Sequence, residues 1–386
     1  MQSVSFSKTL PFVLNVGGVG WMFFSSGFAY AVWGVALPAI EKKFVLGDAR
    51  LGFVLFVLAA GAIVMMLPAG KLIAKIGSRP VCALGAFLHA LAIVSISLCQ
   101  SVEVLLITVA CYGAATACFD TAMNAYALEY EKCSNKSLLS AMHGMFSVGG
   151  MVGAFLGGSF LANFEGSTLF LLSGLNSLLA SIFCVFMVST KQVKHESHQR
   201  LDTKTKPFQY TLKIGFLAFL ALLAEGAMYD WSSMFLRDEL LVTGGRVSAG
   251  YFGFSSGMML GRLLGDRWRN ILKDKSHIIV SVSAAIAFAG VCMLVLTASF
   301  QLAVLCFVII GIGLSNLIPV IFAIAGNVAQ NSGQGIAKVS LFAYFGFLLG
   351  PLIIGEIASQ YSLNDAFLVV GFCLAIIILL NLRNPD

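Results

Sequence analysis

The stretch "LGFVLFVLAAGAIVMMLP", residues 51–68, runs for 18 positions without a charged side chain. About 20 apolar residues in an α-helix, rising about 1.5 Å each, cross the hydrocarbon core of a bilayer. Within that core a helix satisfies every backbone hydrogen bond internally. The run therefore predicts a transmembrane helix.

The composition of the whole chain agrees with this stretch. Of 386 residues, 59% are hydrophobic and 11% are charged, and the mean hydropathy is +0.91. Soluble domains carry about 25% charged residues, so a water-facing surface of normal composition cannot cover this chain. We predict an all-α integral membrane protein.

Similar apolar runs recur along the sequence and predict twelve transmembrane helices in two pseudo-symmetric six-helix halves. The predicted spans are 12–38, 50–70, 80–99, 103–128, 139–163, 168–190, 211–236, 248–265, 277–299, 301–325, 337–358 and 364–382. A polar stretch separates the halves, so we divide the chain into 1–190, a linker at 191–210, and 211–386. The linker is expected to be cytoplasmic, and its basic residues could also touch lipid headgroups.

The basic residues predict the orientation in the membrane. With the N-terminus inside, 19 of the 24 Lys and Arg residues fall in cytoplasmic segments and five fall outside. Positive charge concentrates on the cytoplasmic side of membrane proteins. We therefore place both termini in the cytoplasm of a cell (inner) membrane, and we do not read the net charge of +6 as a nucleic-acid footprint.

Glycines recur at matching places of the two halves. Gly149, Gly153 and Gly157 of span five are spaced by four, as are Gly346 and Gly350 of span eleven. Such smooth faces let membrane helices approach closely. Their occurrence in both halves is typical of duplicated transporters.

Span seven contains "AEGAMYDW" (224–231), which puts two acids in an apolar run. Ionisable residues inside the bilayer are costly and mark functional sites by default. Glu225 is the deeper acid, with Tyr229 one turn away on the same face. We interpret Glu225 as a proton-coupling residue; the alternative is a permanently protonated acid that hydrogen-bonds another helix.

Asp230 lies nearer the predicted outer end of span seven. Arg237, seven residues on, returns to the same face of the helix. We therefore expect Asp230 to be structural, in an ion pair or a water contact at the outer boundary.

Span four contains a polar stripe formed by Thr116, Asp120 and Asn124, spaced i, i+4 and i+8. Such a stripe faces the bundle interior or water rather than lipid. Asp120 is our second candidate for proton coupling. Asn124 either binds substrate or joins two helices by a hydrogen bond.

Other polar side chains inside the spans are candidates for the substrate cavity, although aromatic ones are commonly packing or interface residues. They are Tyr30, Trp33, His143, Asn316 and Tyr344, together with Tyr229. Asn316 and Pro319 also predict an irregularity in span ten, where freed backbone groups could meet a solute.

Two short basic loops are candidates for gating. The loop "GKLIAKIGSRP" (70–80) carries Lys75 and Arg79, and "GRLLGDRW" (261–268) carries Arg262, Asp266 and Arg267. Arg262 and Asp266 are spaced i, i+4 and can pair on one helix face. A charged latch there would bias closure of the inner side; the alternative is an ordinary positive-inside flank.

The first of these loops resembles the signature of the major facilitator superfamily, G-x-L-A-D-R-x-G-R-R. The resemblance implies the superfamily's fold of two six-helix halves. Gly70, Leu72 and Gly77 match, but Ala74 stands where the signature has its Asp. We expect Asp266, in the second-half loop, to take the role of that acid.

Longer blocks, "DTAMNAYALEYE" (120–131) and "AEGAMYDWSSMFLRD" (224–238), resemble a bacterial MosC-like subfamily related to the fucose–proton symporter branch. That resemblance implies a proton-linked solute transporter with Asp120 and Glu225 in its polar core. It does not imply fucose, because sugar symporters of that branch also use an acid in the first span, and residues 12–38 contain none. The subfamily's setting in rhizopine metabolism points toward polyol-like or other small polar solutes.

We therefore predict a secondary transporter that moves a small polar solute by alternating access with proton coupling. We do not expect an enzyme, because the sequence shows no paired nucleophile and base, phosphate loop or metal-ligand cluster. No metal or other cofactor is expected, and the partners are the solute, protons and membrane lipid, with a monomeric chain. One alternative is proton-driven efflux of lipophilic compounds, favoured by 14 Met and 32 Phe residues. The other is a non-transporting receptor or assembly partner.

Overall fold

The apolar runs form helices that extend beyond the runs themselves. The computed structural model describes residues 9–134, 139–163, 166–186, 208–271, 275–326 and 332–383. The α-helices in these ranges are α1 (Thr9–Phe44), α2 (Gly47–Ile76), α3 (Ser78–Leu98), α4 (Val102–Ser134), α5 (Leu139–Asn163), α6 (Gly166–Phe186), α7 (Phe208–Asp238), α8 (Ala249–Ile271), α9 (Ser276–Leu296), α10 (Phe300–Leu314), α11 (Leu317–Ala325), α12 (Ser332–Gln360) and α13 (Leu363–Arg383). A short 3-10 helix, Gly244–Ser248, precedes α8.

Ten segments within the described residues are long and apolar enough to cross a membrane. One of them, Phe300–Ala325, comprises α10 and α11 together. Helices α5 and α8 lie over the two remaining predicted spans, 139–163 and 248–265. Large apolar side chains such as Leu67 (78% exposed) and Phe372 (67% exposed) cover the outer surface, as a lipid-facing bundle requires.

The predicted irregularity in span ten is a break between α10 and α11. Leu314 ends α10 and Leu317 begins α11, so Ser315 and Asn316 stand between the two helices. Pro319 follows in the first turn of α11, where a missing N–H is tolerated. The sequence prediction of an irregular segment here is confirmed.

The helices of the two halves repeat the same packing arrangement. In the first half α1 packs on α5 and α6, α4 on α2 and α3, and α3 on α6. In the second half α7 packs on α12 and α13, α10 on α8 and α9, and α9 on α13. Counting α10 and α11 as one span, each of these contacts of one half has its counterpart in the other, as the predicted pseudo-symmetric fold requires.

The matched glycines mediate one of these repeated contacts. A Cβ at Gly149 would lie 2.0 Å from the Phe24 carbonyl oxygen, so α5 approaches the backbone of α1. A Cβ at Gly346 would lie 2.1 Å from the Phe219 carbonyl oxygen, which brings α12 equally close to α7. Only glycine permits this approach, as the smooth faces in the sequence predict.

The halves meet through α1 with α7, α2 with α12, and α5 with α8. We call the end of the bundle where α1 begins and α13 ends the termini end, and the opposite end the far end. The far end is closed by backbone contacts. A Cβ at Gly245 would lie 1.6 Å from the Gly158 carbonyl oxygen, and one at Gly52 would lie 2.5 Å from that of Pro351.

An ion pair joins the halves at the same end. Arg237, at the end of α7, lies 3.0 Å from Glu41 of α1 and donates to the Pro38 carbonyl oxygen at 3.2 Å. Of the predicted linker at 191–210, only residues 208–210 lie within the described part of the chain, and they begin α7.

Candidate functional site

Glu225, in the middle of α7, is paired with an arginine from the following helix. Arg262 Nη2 of α8 lies 3.6 Å from Glu225 Oε1, and the two side chains are 21% and 15% exposed. Arg262 Nη1 donates to Ser147 Oγ of α5 at 3.0 Å. Because α5 belongs to the first half, these contacts join the two halves at mid-depth.

His143 lies beside this cluster. The Ser147 hydroxyl donates to the His143 carbonyl oxygen at 3.4 Å, one turn earlier in α5. The imidazole ring packs edge-on against Phe23 with the ring centroids 5.2 Å apart, and it interacts electrostatically with Arg262. The structure therefore brings His143 and Glu225 to the same arginine.

Asp120, at a similar depth in α4, is held by a serine of α1. Ser26 Oγ donates to Asp120 Oδ1 at 2.7 Å. Tyr344 of α12 interacts electrostatically with Asp120, so groups of both halves approach this acid as well. A carboxylate with one neutral hydrogen-bond donor keeps acceptor capacity for a proton or a solute hydroxyl.

The remainder of the polar stripe on α4 is bonded within its own helix. The Asn124 amide donates to the Asp120 carbonyl oxygen at 2.8 Å, and the Thr116 hydroxyl donates to the Tyr112 carbonyl oxygen at 2.8 Å. Asn124 was predicted to bind substrate or to join two helices, and this hydrogen bond within α4 does neither. The side-chain oxygen of Asn124 remains available as an acceptor.

Three of the predicted aromatic candidates lie between the acids and the far end. The rings of Tyr30 and Tyr229, from α1 and α7, meet edge-on with centroids 5.5 Å apart. Tyr229 also interacts electrostatically with Glu225 and Arg262. Trp33 is 1% exposed, and its centroid lies 6.1 Å from that of Tyr112. The first half and the second half therefore both contribute rings to this layer.

The predicted environment of Asp230 requires a correction. Arg237 pairs with Glu41 and with its neighbour Asp238, at 3.0 Å and 2.5 Å, rather than with Asp230. Asp230 is 4% exposed, so it is not in open contact with solvent either. The long side chain of Arg237 reaches the other half of the protein at the far end, where both acids are partly solvated.

The predicted partners of two other residues also differ. Arg262, expected to pair with Asp266, instead contacts Glu225 and Ser147. The side chains of Asp266 and Arg267 lie outside the described part of the structure. The Asn316 amide, a cavity candidate, donates to the Gly261 carbonyl oxygen at 3.0 Å and to Ser315 Oγ at 2.9 Å, which ties the helix break to α8.

The first basic loop lies at the termini end. Lys75 is exposed, and Arg79 is half-buried and interacts electrostatically with Tyr126 of α4. Gly77, with φ +93°, makes the turn between α2 and α3. The latch role of Lys75, Arg79, Asp266 and Arg267 remains a prediction.

Sequence reasoning missed Ser26 and the partner of Glu225, and it noted Ser147 beside His143 without giving it a role. Ser26 and Ser147 are small residues that occur throughout membrane helices, so their type alone carries no signal. Arg262 did carry a signal in the sequence, because it falls within predicted span eight and an arginine at that depth needs an anionic partner. Glu225 was the unpaired acid available to it.

Together these contacts form two acid-centred clusters at mid-depth, and those of Glu225 join the two halves. A proton arriving at Glu225 would remove its attraction for Arg262, whose other contact crosses to α5. The arrangement can therefore connect a protonation event to the relative position of the halves.

Comparison with known proteins agrees with the fold. Residues 19–295 match the family model of the Major Facilitator Superfamily. The chain is 33% identical over 361 residues to an uncharacterised MFS-type transporter of Yersinia pestis, with 91% of each chain covered. It is 29% identical over 359 residues to the membrane protein MosC of Rhizobium meliloti, covering 92% of this chain and 87% of that one.

Solved structures share the architecture at low sequence identity. A bacterial homologue of the human lysosomal transporter Spinster, in an inward-facing, unoccupied conformation, superposes with a TM-score of 0.78 at 15% identity, covering 98% of this chain and 97% of that one. A variant of the nucleoside transporter NupG gives a TM-score of 0.77 at 13% identity, covering 95% and 99%. This likeness concerns the fold alone.

The family match covers most of the chain, and the relatives align over nearly their whole length. The protein is therefore a multi-pass membrane transporter rather than an enzyme, and it belongs to the Major Facilitator Superfamily.

Proposed function

We propose that the protein moves a small polar solute, such as a sugar, a polyol or a similar metabolite, across the inner membrane by proton-coupled alternating access. The observation that carries the proposal is the path Glu225–Arg262–Ser147, which links an acid to an arginine and the arginine to the other half. An acid at this depth is costly unless it has a function.

Coupling follows from the charge on Glu225. Two unit charges about 4 Å apart attract each other by about 4 kcal/mol at an effective dielectric constant of about 20, before desolvation costs. Shifting a two-state equilibrium from 1:99 to 99:1 needs about 5.5 kcal/mol. Protonating Glu225 therefore removes an interaction of the right size to release Arg262 and, together with solute binding, to change the preferred state.

Asp120 is the second acid of the proposed coupling pair. Its contact with Ser26 leaves acceptor positions for a proton or for a solute hydroxyl. The polar side chains around it suit a hydroxylated ligand better than a lipophilic one. We also propose that the protein is related to the fucose–proton symporter branch. This relation implies proton coupling.

The setting in the membrane is part of the same proposal. The excess of Lys and Arg in alternate loops supports a cytoplasmic location for the termini end, so the closed far end would face outward. We propose that the chain works as a monomer, with the solute, protons and surrounding lipid as its partners, and without nucleic acid.

The test is a thermal-shift screen of the purified protein against sugars, polyols, amino acids, peptides and lipophilic cations, at acidic and at neutral pH. A ligand at 100 times its Kd stabilises the native state by about 2.7 kcal/mol. Glu225→Gln and Asp120→Asn are compared with wild type. Glu356→Gln is the matched control, because Glu356 is an exposed acid of α12.

The proposal expects a polar solute to stabilise the wild type in a pH-dependent way and the Glu225→Gln variant to lose that dependence. Stabilisation by lipophilic cations alone would instead support efflux of drug-like compounds. If no compound registers and all variants melt alike at both pH values, a receptor or assembly role takes the place of transport of these solutes.

A further inference from the structure

A buried polar cluster lies between the mid-depth acids and the closed far end. Its aromatic members come from α1, α4, α7 and α8, so both halves contribute, and two of them, Tyr30 and Tyr251, lie near Asp230 of α7. The aromatic members are Tyr30, Trp33, Tyr112, Tyr229 and Tyr251. Tyr229 connects them, with ring centroids 5.5 Å from Tyr30 and 5.4 Å from Tyr251.

Three polar atoms of this cluster are buried without a hydrogen-bond partner among the described residues. They are Trp33 Nε1, the Tyr112 hydroxyl and the Tyr251 hydroxyl. The hydroxyls of Thr116 and Ser255 lie near those of Tyr112 and Tyr251, respectively. Thr116 donates to the Tyr112 carbonyl oxygen, and Ser255 Oγ is likewise unpaired. A buried unsatisfied group costs about 1–3 kcal/mol, so three in one place require an explanation.

Asp230 is also without a partner in the described part of the chain, although it is 4% exposed. It interacts electrostatically with Tyr30 and Tyr251. The two arginines near the far end are engaged elsewhere: Arg237 pairs with Glu41, and the Arg246 guanidinium lies 4.4 Å from the centroid of the Phe300 ring. An acid buried at this level normally has a partner.

We propose that Asp230 and the surrounding aromatic side chains form a subsite that orients a polyhydroxylated ring solute, such as a sugar or cyclitol; this inference rests on the proposed function above. A hydroxyl group both donates and accepts. Solute hydroxyls can therefore donate to the Asp230 carboxylate while they accept from the Trp33 N–H and the tyrosine hydroxyls.

The alternative ligand chemistry, an organic ammonium, fits less well. Aromatic rings around a carboxylate do attract cations. An ammonium group, however, has no hydrogen-bond acceptor, so it would leave Trp33 Nε1 unsatisfied. The same rings offer apolar faces for the C–H groups of a sugar or cyclitol ring.

The two acids of α7 then have different tasks. Glu225 carries the proton and forms the ion pair with Arg262. Asp230 binds the solute, and it lies five residues and about 7.5 Å further along the helix. Tyr229 lies between them and contacts both environments. Asp230, which its sequence position suggests is structural, becomes a solute-orienting residue.

The experiment measures binding by isothermal titration calorimetry, with D-glucose, 2-deoxy-D-glucose, myo-inositol and tetramethylammonium as probes. Wild type is compared with Asp230→Asn, Trp33→Phe and Tyr251→Phe. Tyr361→Phe is the control, because Tyr361 is 74% exposed at the far end. Each unliganded variant is also melted, so that a folding defect in one variant leaves the other two to decide.

We expect Asp230→Asn to weaken binding of the best hydroxylated probe by about 10- to 100-fold, as loss of a hydrogen bond to a charged group does. Trp33→Phe and Tyr251→Phe should each weaken it by about 2- to 10-fold. The pH dependence of the remaining affinity should persist in Asp230→Asn and disappear in Glu225→Gln. A purely structural role for Asp230 would not produce that separation.

The inference is overturned, with the proposed function intact, if a hydroxylated probe binds the three variants as tightly as the control. Tighter binding of tetramethylammonium than of every hydroxylated probe, lost in Asp230→Asn, would overturn the ligand class. If neither the hydroxylated probes nor any solute of the thermal-shift screen binds wild type, both this subsite and the proposed transport of a polar solute are wrong.

Discussion

A single methyl group added at Gly245 should oppose the contact that closes the far end. A Cβ at Gly245 would lie 1.6 Å from the Gly158 carbonyl oxygen of the other half. Carbon and carbonyl oxygen in close contact are normally about 3.3 Å apart. Gly245→Ala therefore requires the two segments to separate by about 1.7 Å.

The magnitude follows from the cost of overpacking. Forcing an extra carbon into a well-packed contact costs about 1–3 kcal/mol. The cost applies only while the far end is closed, because the contact does not exist once the halves separate there. Gly245→Ala should therefore shift the equilibrium toward the open far end by about 5- to 150-fold.

The assay is a distance measurement between spin labels on the two halves. Val45→Cys and Tyr361→Cys place the labels at far-end positions that are 79% and 74% exposed. Both cysteines are introduced into a variant in which the nine native cysteines have been replaced. The unsubstituted protein should show one main short distance, and Gly245→Ala should add a longer one.

The matched control is Gly144→Ala, since a Cβ at Gly144 has nothing within 4 Å. It should leave the distance distribution unchanged. If Gly245→Ala gives the same distribution as this control, the Gly245–Gly158 contact does not govern closure, and the reasoning from backbone approach is refuted.

Two further substitutions test the packing and the closure separately. Gly149→Ala would place a Cβ 2.0 Å from the Phe24 carbonyl oxygen within the first half, so it should lower the free energy of unfolding by about 1–3 kcal/mol; a melting temperature equal to that of Gly144→Ala would contradict this. Arg237→Gln removes the partly exposed ion pair with Glu41, which is worth about 0.2–1 kcal/mol. It should therefore populate the longer spin-label distance less than Gly245→Ala does, and a larger effect would mean that the ion pair dominates closure.

Much of the fold was predictable because the bilayer leaves few choices. Apolar runs must become helices there, and matched glycine faces indicate where helices of each half approach. The break at Ser315 and Asn316 was also predictable, since Pro319 cannot continue an ordinary hydrogen-bonded helix. The ends of the helices were not predictable, because α1 continues to Phe44 through polar residues outside the apolar run.

The candidate site was predictable as a set of residues but not as a set of contacts. Glu225 and Asp120 stand out because charged groups are rare inside apolar spans. Their partners, Arg262 and Ser26, come from other helices. Helical periodicity gives the face on which a residue lies, but it does not give the rotation of one helix against another.

The same limitation explains the error about Asp230. Periodicity along α7 places Arg237 on the face of Asp230, yet the arginine reaches Glu41 across the interface between the halves. A local pattern cannot anticipate a partner that is 196 residues away in the chain.

The central claim is that Glu225 couples proton movement to solute movement. Its most direct test is solute accumulation in proteoliposomes under an imposed pH gradient, with the solute identified by the thermal-shift screen. Wild type should accumulate the solute, whereas Glu225→Gln should exchange it across the membrane without accumulation. Accumulation by Glu225→Gln at the wild-type level would contradict the account.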